Sequence, residues 1–401
     1  MFTTATMESK VAPRNPGDPI RVLMVIQQFS PIVGGAERQA LQLARALRRR
    51  GTDVLVLTAR WSISLRDTET VDGVPVIRLG IARLGSETRR LGGGLSFMVQ
   101  IVRYLFAHAR TYDVVHVHQA LKPAVAAAAA CRLLAKPMLI KIGCGGGWSD
   151  LNVLGSARVG PFHIGRLYLS VMRNVPRFVA LNTDIVEELR SKGFREEQIL
   201  PIPNGIDLSR RPRARKGDPD QAVRLLFVGR LDHQKGLDLL LHAVKRLPSS
   251  VAWRLDVVGS GSEERVLRRM TDELGISASV KFRGAVGNVP ELLLRTDLFI
   301  LPSRAEGMSN ALLEAMSAGV ACIATAIGGN RDLIEDGRNG LLVRPENPTE
   351  LAAAIRRLAT SPAERRRLGS AAQRRIRKRY SIDSVAREYE KAYASLLGQQ
   401  P

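Results

Sequence analysis

The chain has 401 residues, 45% of them hydrophobic, which is longer than a usual single domain and enough to bury two ordinary cores. Its 60 Lys and Arg residues against 38 Asp and Glu residues give a net charge of +22, so an acidic partner such as a nucleotide or a phospholipid surface is expected. Three widely spaced cysteines without a C-x-x-C pair argue against a disulfide scaffold and a structural zinc site, and they favour a reducing cytoplasm.

Targeting segments and nucleic-acid binding are also disfavoured. Residues 1–20 are polar and lack an apolar h-region, so neither a secretory signal nor an N-terminal anchor is expected. The alanine-rich run 124–134 is too short to span a bilayer. The basic residues are scattered and form no nucleic-acid module, and a GC-rich genome would account for part of the arginine.

A paired-glycine turn follows the first strand. Residues 21–26 (RVLMVI) are a short apolar run that predicts a central parallel strand, and 36–47 has helical spacing. Gly34 and Gly35 lie between them, where backbone N–H groups can approach an anion without a Cβ in the way. From these residues alone a plain tight turn is an equal alternative.

Two histidines alternate with apolar residues in the strand predicted at 113–118 (DVVHVH). Alternation places His116 and His118 on one face of the strand. We interpret His116 as a core residue and His118, at the strand end, as a site candidate. A metal site is disfavoured because no third ligand with suitable spacing is apparent.

The segment 94–108 (GLSFMVQIVRYLFAH) predicts an amphipathic helix. Basic residues surround it, namely Arg83, Arg89, Arg90, Arg103 and Arg110. Such a helix can lie in an anionic membrane interface, or it can simply pack on the sheet. The sequence leaves both alternatives open.

A glycine-rich loop, GCGGGWSD, follows the strand predicted at 137–142. Trp148 and Asp150 in this loop are candidate binding residues. Residues 162–175 predict a helix. After the PNGID turn at 203–207, the basic stretch 209–221 predicts a flexible linker, and hence a boundary between residues 208 and 209.

The second half opens with a strand at 223–228 and the loop GRLDHQKG. Arg230 and Lys235 in this loop can clamp a diphosphate, one as a forked donor and the other as a point charge. The alternative is a basic turn on the protein surface that binds no ligand.

The stretch DLFILPSRAEGMSNALLEAMSAG, residues 297–319, predicts a strand, a polar loop and a helix. In an open parallel sheet, ligands bind beyond the carboxyl ends of strands, where this loop would lie. The N–H groups of Met308, Ser309 and Asn310 at the helix start suit a diphosphate. The carboxylates of Glu306 and Glu314 would repel phosphate, so we place them on a sugar hydroxyl and a ribose diol.

EGMSNALLEAMSAG resembles the E-x7-E signature of retaining, nucleotide-sugar-dependent glycosyltransferases of family 4. PIVGGAERQALQLARAL, PNGID and GRLDHQKG resemble further elements of that family, and the likeness covers about residues 20–398. It implies the α/β GT-B fold, with two facing Rossmann-like domains, parallel sheets and an interdomain cleft. The implied domains are an acceptor-binding domain at 20–208, completed by a helix at 381–398, and a nucleotide-sugar-binding domain at 209–380. The family usually has Pro where Asn330 and Arg331 stand, a difference beside the phosphates that bears on donor choice.

The resemblance also implies site roles and a metal-independent reaction. The nucleotide sugar would be a co-substrate, and no cofactor is expected. The catalytic residues would be Glu306, Arg230, Lys235 and His118. The donor-binding residues would be Gly34, Gly35, Gly229, Met308, Ser309, Asn310 and Glu314. Trp148 and Asp150 would contact the acceptor.

The function implied is transfer of a hexosyl unit from a nucleoside diphosphate sugar to a saccharide or lipid-linked acceptor. We expect this in bacterial surface polysaccharide or glycolipid biosynthesis, in the cytoplasm and peripherally on the inner face of the cell membrane. One alternative is a sugar-nucleotide epimerase of the same fold. The other is a basic nucleotide- or nucleic-acid-binding protein without catalysis.

Overall fold

Strands and helices alternate along most of the chain. The computed structural model describes residues 18–32, 34–62, 64–80, 89–145, 148–159, 162–208 and 222–399. The strands are β1 Arg21–Val25, β2 Asp53–Ala59, β3 Thr68–Val71, β4 Val74–Leu79, β5 Val114–His118, β6 Met138–Lys141, β7 Arg158–Val159, β8 Phe162–His163, β9 Arg177–Ala180, β10 Ile199–Pro201, β11 Val223–Val228, β12 Trp253–Val258, β13 Val280–Phe282, β14 Leu298–Leu301, β15 Ala321–Thr325 and β16 Leu341–Val343. The helices are α1 Gly35–Arg49, α2 Arg89–Ala107, α3 Lys122–Leu133, α4 Asp150–Gly155, α5 Gly165–Met172, α6 Thr183–Ser191, α7 Leu237–Lys245, α8 Glu264–Glu273, α9 Val289–Leu293, α10 Asn310–Ser317, α11 Gly328–Leu333, α12 Pro348–Ala359, α13 Pro362–Arg379 and α14 Ile382–Leu396.

The strands form two large sheets and a small hairpin. The first sheet has the order β10-β9-β6-β5-β1-β2-β4-β3, the second β13-β12-β11-β14-β15-β16, and β7 pairs with β8. All five neighbouring pairs of the second sheet are parallel, whereas β3 joins β4 antiparallel at one edge of the first. Each order starts in the middle and runs outward in both directions, which is the arrangement of doubly wound α/β sheets.

The strand sequences explain their central positions. All five residues of β5 and all four of β14 are buried. Continuous burial is expected where helices cover both faces of a parallel sheet. Helix α1 instead buries one stripe that includes Leu43 and Leu47, so its apolar residues recur at helical spacing.

The chain folds into two compact units. The first unit comprises Met1–Lys141, Val153–Phe178 and Glu388–Pro401, and the second comprises Ile142–Asn152 and Val179–Arg387. This division places residues 142–152 and 179–208 with the second unit. The predicted boundary between residues 208 and 209 stays a prediction, because the linker predicted at 209–221 lies outside the described residues.

One predicted helix boundary is wrong, and one strand was not predicted. The helix predicted at 162–175 begins only at Gly165, because Phe162 and His163 pair with Val159 and Arg158 in a hairpin. The antiparallel strand β3 was not predicted, because its sequence TETV carries almost no apolar signal.

Within the described part of the chain, no helix is both long enough and apolar enough to cross a membrane.

Candidate active site

The two motifs of the second half meet at the centre of the second sheet. Strands β11 and β14 are neighbours there, and the chain runs from them toward opposite edges. Their carboxyl ends therefore border the topological switch point, where open α/β sheets bind ligands. The loop after β11 is GRLDHQKG and the loop after β14 is PSRAEGMS, so the sheet order alone brings the predicted site residues together.

Lys235 and Glu306 form a largely buried ion pair at this point. Lys235 Nζ donates to Glu306 Oε1 at 2.7 Å, and the Oγ of Ser303 donates to the same oxygen at 2.7 Å. The side chains of Lys235 and Glu306 are 16% and 7% exposed. A pair shielded from water is screened less than a surface pair, and each charge depends on its partner. The sequence placed Lys235 on a diphosphate and Glu306 on a sugar; it did not predict that they bond to each other.

Arg230 is held more loosely. Its side chain is 67% exposed, and its guanidinium lies 3.2 Å from Asp232 and 3.1 Å from the Oε1 of Gln234. Both partners belong to the same loop as Arg230. The guanidinium is therefore fixed in place less firmly than the ammonium of Lys235, and it has solvent on one side.

Arg304 joins the two loops, a role that the sequence did not predict. Its guanidinium bonds both oxygens of Asp238, at 2.8 and 2.7 Å, and also contacts Glu346 at 2.6 Å. Its backbone N–H donates to the carbonyl of Gln234. The hydrogen bond to Asp238 raises the pKa of Arg304 above its ordinary value. A lone arginine beside the E-x7-E motif carried no signal for this role, since both carboxylates are distant in sequence.

The loop after β14 ends in the capped N-terminus of α10. Ser309 is the N-cap and its Oγ accepts from the N–H of Leu312 at 3.3 Å. Met308 and Ser309 are both buried, and Asn310 accepts a hydrogen bond from the Nδ2 of Asn204 at 3.2 Å. The first-turn N–H groups and the helix dipole make this end suitable for an anion.

Glu314 and Gly229 occupy different places relative to this helix start. Glu314 lies in α10, one turn after Asn310, and is half-buried. The N–H of Gly229 donates to the carbonyl of Val258, so that N–H is engaged between strand ends rather than directed at a ligand. The donor-binding role of Gly229 stays a prediction.

Two glycines allow backbones to approach closely around Glu306. A Cβ on Gly307 would lie 2.1 Å from the carbonyl oxygen of Gly143. Gly236 has φ +65°, and a Cβ there would lie 2.2 Å from the carbonyl oxygen of Pro302. A side chain at either position would separate these segments, which explains both glycines physically.

The predicted acceptor residues differ in their surroundings. Trp148 is 50% exposed, whereas Asp150 is 6% exposed and its Oδ2 accepts from the N–H of Gly143 at 2.7 Å. Asp150 thus holds the backbone of Gly143 in place. Nearby, burial raises the pKa of the Cys144 thiol to about 11, so this sulfur stays protonated at neutral pH. The acceptor roles of Trp148 and Asp150 stay predictions.

The first unit presents its own candidates at strand ends. Gly34 is the N-cap of α1 and Gly35 its first residue, as the glycine-turn interpretation requires. His118 ends β5 and is 4% exposed, and its ring stacks on that of His116 with centroids 4.4 Å apart. The prediction that both histidines share one face is confirmed.

The histidines belong to a buried polar cluster in the first unit. His116 Nδ1 lies 2.8 Å from the hydroxyl of Tyr393 on α14, and its ring stacks on Tyr389. Burial lowers the pKa of His116 and of His118 well below their ordinary values, so both are neutral at pH 7. Burial likewise lowers the pKa of Lys141, at the end of the neighbouring β6, to about 7.

Comparisons with known proteins show the family to which this chain is similar. Residues 33–210 match the family described as "Glycosyltransferase Family 4", and residues 210–375 match "Glycosyl transferases group 1". An uncharacterized glycosyltransferase of Methanocaldococcus jannaschii is 28% identical over 395 residues, covering 93% of this chain and 98% of that protein. The lipopolysaccharide core biosynthesis glycosyltransferase LpsD of Rhizobium meliloti is 30% identical over 236 residues, covering 57% of this chain and 68% of that protein.

Among solved structures, Anabaena HepE in complex with UDP-glucose has a TM-score of 0.75. It is 20% identical in sequence, and the match covers 94% of this chain and all of that one. A likeness at this identity shows the fold, and it confirms the predicted α/β GT-B fold class.

Proposed function

The chain belongs to glycosyltransferase family 4, and from this premise we propose that it is a retaining transferase. It moves a hexosyl unit from a nucleoside diphosphate sugar to a saccharide or lipid-linked acceptor. The observation that carries this proposal is the buried Lys235–Glu306 pair at the switch point of the second sheet. Arg230, on the same loop as Lys235, and the N-terminus of α10 complete the set of positive groups.

The chemistry follows from where charge develops. As the bond between the anomeric carbon and the phosphate oxygen breaks, negative charge grows on the β-phosphate. Lys235, Arg230 and the helix N-terminus at Ser309 stabilise that charge, and preorganised donors of this kind are usually the largest single contribution to catalysis. Glu306 keeps Lys235 in place and accepts hydrogen bonds from the sugar hydroxyls.

Retention requires the acceptor oxygen to bond the anomeric carbon on the face that the phosphate leaves. The acceptor hydroxyl gives its proton to the departing phosphate oxygen, so no nucleophilic side chain is needed. The protonated Cys144 thiol is consistent with this scheme, because a thiol is a much poorer nucleophile than a thiolate. His118 is neutral, and it contacts the donor sugar as a hydrogen-bonding group rather than as a cation.

A nucleoside diphosphate donor has support from the comparison with Anabaena HepE, whose structure contains UDP-glucose. The site is also built for such a donor, because a diphosphate brings two negative charges to Lys235 and Arg230. Glu314, one turn into α10, is placed to accept from a ribose diol.

Labelled nucleotide sugars test the proposal directly. The protein is incubated with UDP-, GDP- and ADP-hexoses, with and without membrane lipid extract, and the products are separated. We expect label to move to a saccharide or lipid, and the anomeric proton of the product to keep the coupling constant of the donor. Release of a rearranged nucleotide sugar without acceptor would identify an epimerase, and binding without turnover would identify a non-catalytic protein.

We also propose that the enzyme works at the inner face of the cell membrane, in surface polysaccharide or glycolipid assembly. The lipopolysaccharide role of LpsD supports the pathway class. A face of the first unit supports the location. Helix α3 packs against both α2 and α5, and the sequences of these three helices contain no Asp or Glu.

This face, here called the α2-α3-α5 face, is apolar and cationic. Of the eleven exposed large apolar side chains among the described residues, eight lie between residues 95 and 167. Those on the three helices are Leu95, Val99, Phe106, Leu133 and Leu167. Arg103, Arg132 and Arg166 are exposed on the same helices, and none forms an ion pair within the described ranges. An apolar surface with uncompensated cations suits an anionic bilayer.

The apolar run that motivated this proposal is divided between two faces. Phe97, Ile101 and Leu105 are buried in the core of the first unit. Leu95, Val99 and Phe106 are the residues that remain outside. Of the predicted basic residues, Arg83 lies outside the described residues, as do the side chains of Arg89 and Arg90.

A further inference from the structure

The strand that carries the two histidines ends at the ligand-binding edge of the first sheet. Strands β1 and β5 are neighbours from which the chain runs toward opposite edges, so their carboxyl ends border the topological switch point. His118 is the last residue of β5, and it borders a recess of about 10 Å³ there, which has room for one water molecule. The His118 ring is therefore not tightly packed on this side, and its orientation depends on its other contacts.

The His118 ring rests on the ring of His116. The two ring centroids are 4.4 Å apart and the ring planes differ by 22°, which is a stacked arrangement. Both imidazoles are neutral at pH 7, so no charge repulsion opposes the stack. His118 Nε2 is buried and has no hydrogen-bond partner in the described part of the chain. The ring of His116 is therefore the support that sets the orientation of His118.

Helix α14 in turn holds His116. The His116 ring also stacks on that of Tyr389, with centroids 5.1 Å apart, and its Nδ1 lies 2.8 Å from the hydroxyl of Tyr393. Both tyrosines are fully buried. All four rings belong to the first unit, although His116 and Tyr393 are 277 positions apart in the chain.

The hydroxyl of Tyr393 is the donor in its hydrogen bond with His116. Burial raises the pKa of Tyr393 well above its ordinary value, so the hydroxyl keeps its proton. Among the described residues this hydroxyl has no second hydrogen-bond partner. If Nδ1 were the donor, the hydroxyl proton would be buried without an acceptor, which is costly. His116 Nδ1 therefore accepts, and the neutral ring carries its proton on Nε2.

We propose that Tyr393 is a positioning residue for His118. Its hydroxyl fixes the ring of His116, and the ring of His116 fixes that of His118 by stacking. Tyr393 is fully buried, so it acts through the two histidines rather than by touching a substrate. The contact of His118 with the donor sugar rests on the function proposed above, whereas the orientation of its ring does not.

NMR spectra of the full chain without any ligand test the positioning. The chain has six histidines, so ¹⁵N-histidine labelling gives few ring signals, and His118→Ala identifies those of His118. In the wild-type protein we expect His116 with its proton on Nε2. We also expect upfield shifts of the His118 ring protons, because they lie over a stacked ring. Tyr393→Phe removes only the hydroxyl, and it should reduce the upfield shifts of His118.

Tyr112 offers a matched control. Its hydroxyl is buried in the same unit and also makes a hydrogen bond of 2.8 Å, to the carbonyl of Leu105. Tyr112→Phe should therefore lower stability about as much as Tyr393→Phe does, and it should leave the His118 signals unchanged.

The spectra can overturn the proposal in two ways. One is that Tyr393→Phe leaves the His118 signals as they are in the wild-type protein, or changes them no more than Tyr112→Phe does. The other needs no variant, so it decides the question if Tyr393→Phe does not fold. In that case a wild-type His116 with its proton on Nδ1, or His118 ring protons without upfield shifts, contradicts the proposal.

A double-variant cycle measures the consequence for transfer. With saturating donor, Tyr393→Phe should lower kcat about tenfold, which is less than the roughly hundredfold cost of a misplacement of about 1 Å. In the His118→Ala background the same substitution should have no further effect, because Tyr393 acts through His118. An equal loss in both backgrounds would show that Tyr393 only stabilises the fold, and would overturn the positioning role.

The spectra and the kinetics together separate this inference from the proposed function. If Tyr393→Phe shifts the His118 signals but His118→Ala keeps wild-type turnover, the positioning stands and the sugar contact of His118 is contradicted. If His118→Ala abolishes transfer and Tyr393→Phe leaves the spectrum unchanged, the reverse holds. Absence of transfer by the wild-type protein would contradict the transferase function and leave the spectral result unaffected.

Discussion

At the scale of single residues, Glu306 is held in position before any substrate arrives. Two donors, Lys235 Nζ and Ser303 Oγ, fix one of its oxygens while the side chain is 7% exposed. Fixed groups lose little freedom on binding, and they are therefore effective at orienting a substrate. The loop position also means that the carboxylate contributes little to the apolar core of the second unit.

The first prediction concerns the coupling of Glu306 with Lys235. Glu306→Ala and Lys235→Ala should each lower turnover by about two orders of magnitude or more, as removal of one preorganised group does. Because each holds the other, the double variant should lose much less than the product of the two single losses. Arg230→Ala should also lower kcat by about two orders of magnitude. Its effect should be independent of Glu306, so the double variant of Arg230 and Glu306 should lose the product of the two single losses. The measurement is kcat with saturating donor.

Circular dichroism and a matched variant control for folding. Glu273→Ala removes a carboxylate from an exposed helical ion pair, and it should leave kcat unchanged. Near wild-type turnover in Glu306→Ala would contradict the assignment. If the double variant of Glu306 and Lys235 loses the full product of the two single losses in kcat, the two residues are not coupled.

The second prediction concerns Glu314. We expect Glu314→Ala to raise the KM for the donor with little change in kcat, because a ribose contact is made equally in the ground and transition states. Steady-state kinetics with varied donor measure both constants. A fall in kcat at unchanged KM would show that Glu314 acts on the reacting centre instead.

The sequence predicts these residues as site residues, but it does not predict their contacts. The E-x7-E spacing and the glycine-basic loop singled out Glu306, Arg230 and Lys235. Lys235 and Glu306 are 71 positions apart, and the bond between them depends on β11 and β14 being neighbours, which no local pattern specifies. Arg304 was missed for the same reason, since its partner Asp238 lies 66 positions earlier, in the first turn of α7.

At the scale of elements, the third prediction concerns the α2-α3-α5 face. Arg103, Arg132 and Arg166 are each worth about 1 kcal/mol near an anionic surface. Replacing all three by Gln should therefore lower the binding constant for anionic liposomes about a hundredfold. Sedimentation with the liposomes measures this constant. High salt should have a similar effect on the wild-type protein, because the attraction fades beyond a Debye length.

The control for this prediction keeps the net charge equal. Arg265, Arg269 and Arg295 are exposed in the second unit, and their replacement by Gln removes the same three charges. That variant should bind liposomes like the wild-type protein. Equal and negligible binding of the wild-type chain to anionic and neutral liposomes would favour a soluble acceptor.

Elements whose apolar residues recur at regular spacing were predictable from the sequence. Elements that depend on tertiary contacts were not. Phe97, Ile101 and Leu105 recur every four residues, and this spacing correctly indicated an amphipathic helix, while it left open whether the helix packs on the sheet. The hairpin of β7 and β8 has only two residues in each strand, too few for an alternating pattern. Gly165 also approaches the backbone of Gly155 closely, since a Cβ on Gly165 would lie 1.9 Å from the carbonyl oxygen of Gly155. The sequence does not indicate this contact.

At the scale of the whole molecule, the fourth prediction concerns pH and stability. Burial lowers the pKa of Lys141 to about 7, whereas an unfolded lysine titrates near 10.4. Between about pH 7 and 10 the unfolded chain therefore binds more protons, and the free energy of unfolding rises with pH. Lys141→Met removes this dependence, and at pH 7 it should stabilise the protein by up to about 4 kcal/mol.

The buried histidines add a second pH range, at more acidic values, in which stability depends on pH. The pKa values of His116 and His118 are lowered by burial, so below about pH 6.5 the unfolded chain binds protons that the folded chain does not. Stability should fall as the pH falls through that range in both the wild-type protein and Lys141→Met. Urea unfolding at pH 5 to 10 measures both effects. Parallel curves for the two proteins between pH 7 and 10 would contradict the assignment to Lys141.

The fifth prediction is that transfer does not require a divalent metal. Lys235, Arg230 and the N-terminus of α10 are expected to supply the positive charge that a metal would otherwise bring to the diphosphate. Activity should be unchanged after treatment with EDTA. If EDTA abolishes transfer and magnesium or manganese restores it, these groups are not the main stabilisers of the leaving group.

The hydrogen bond between His116 and Tyr393 also bears on the order in which the chain can fold during translation. Tyr389 and Tyr393 are fully buried, and they pack on a strand of the first unit although they lie near the end of the chain. The ribosome therefore makes the whole second unit before the side chains that complete the core of the first. Domains usually fold as they emerge, N-terminal part first. Here His116 stays without its tyrosine neighbours until α14 has left the exit tunnel.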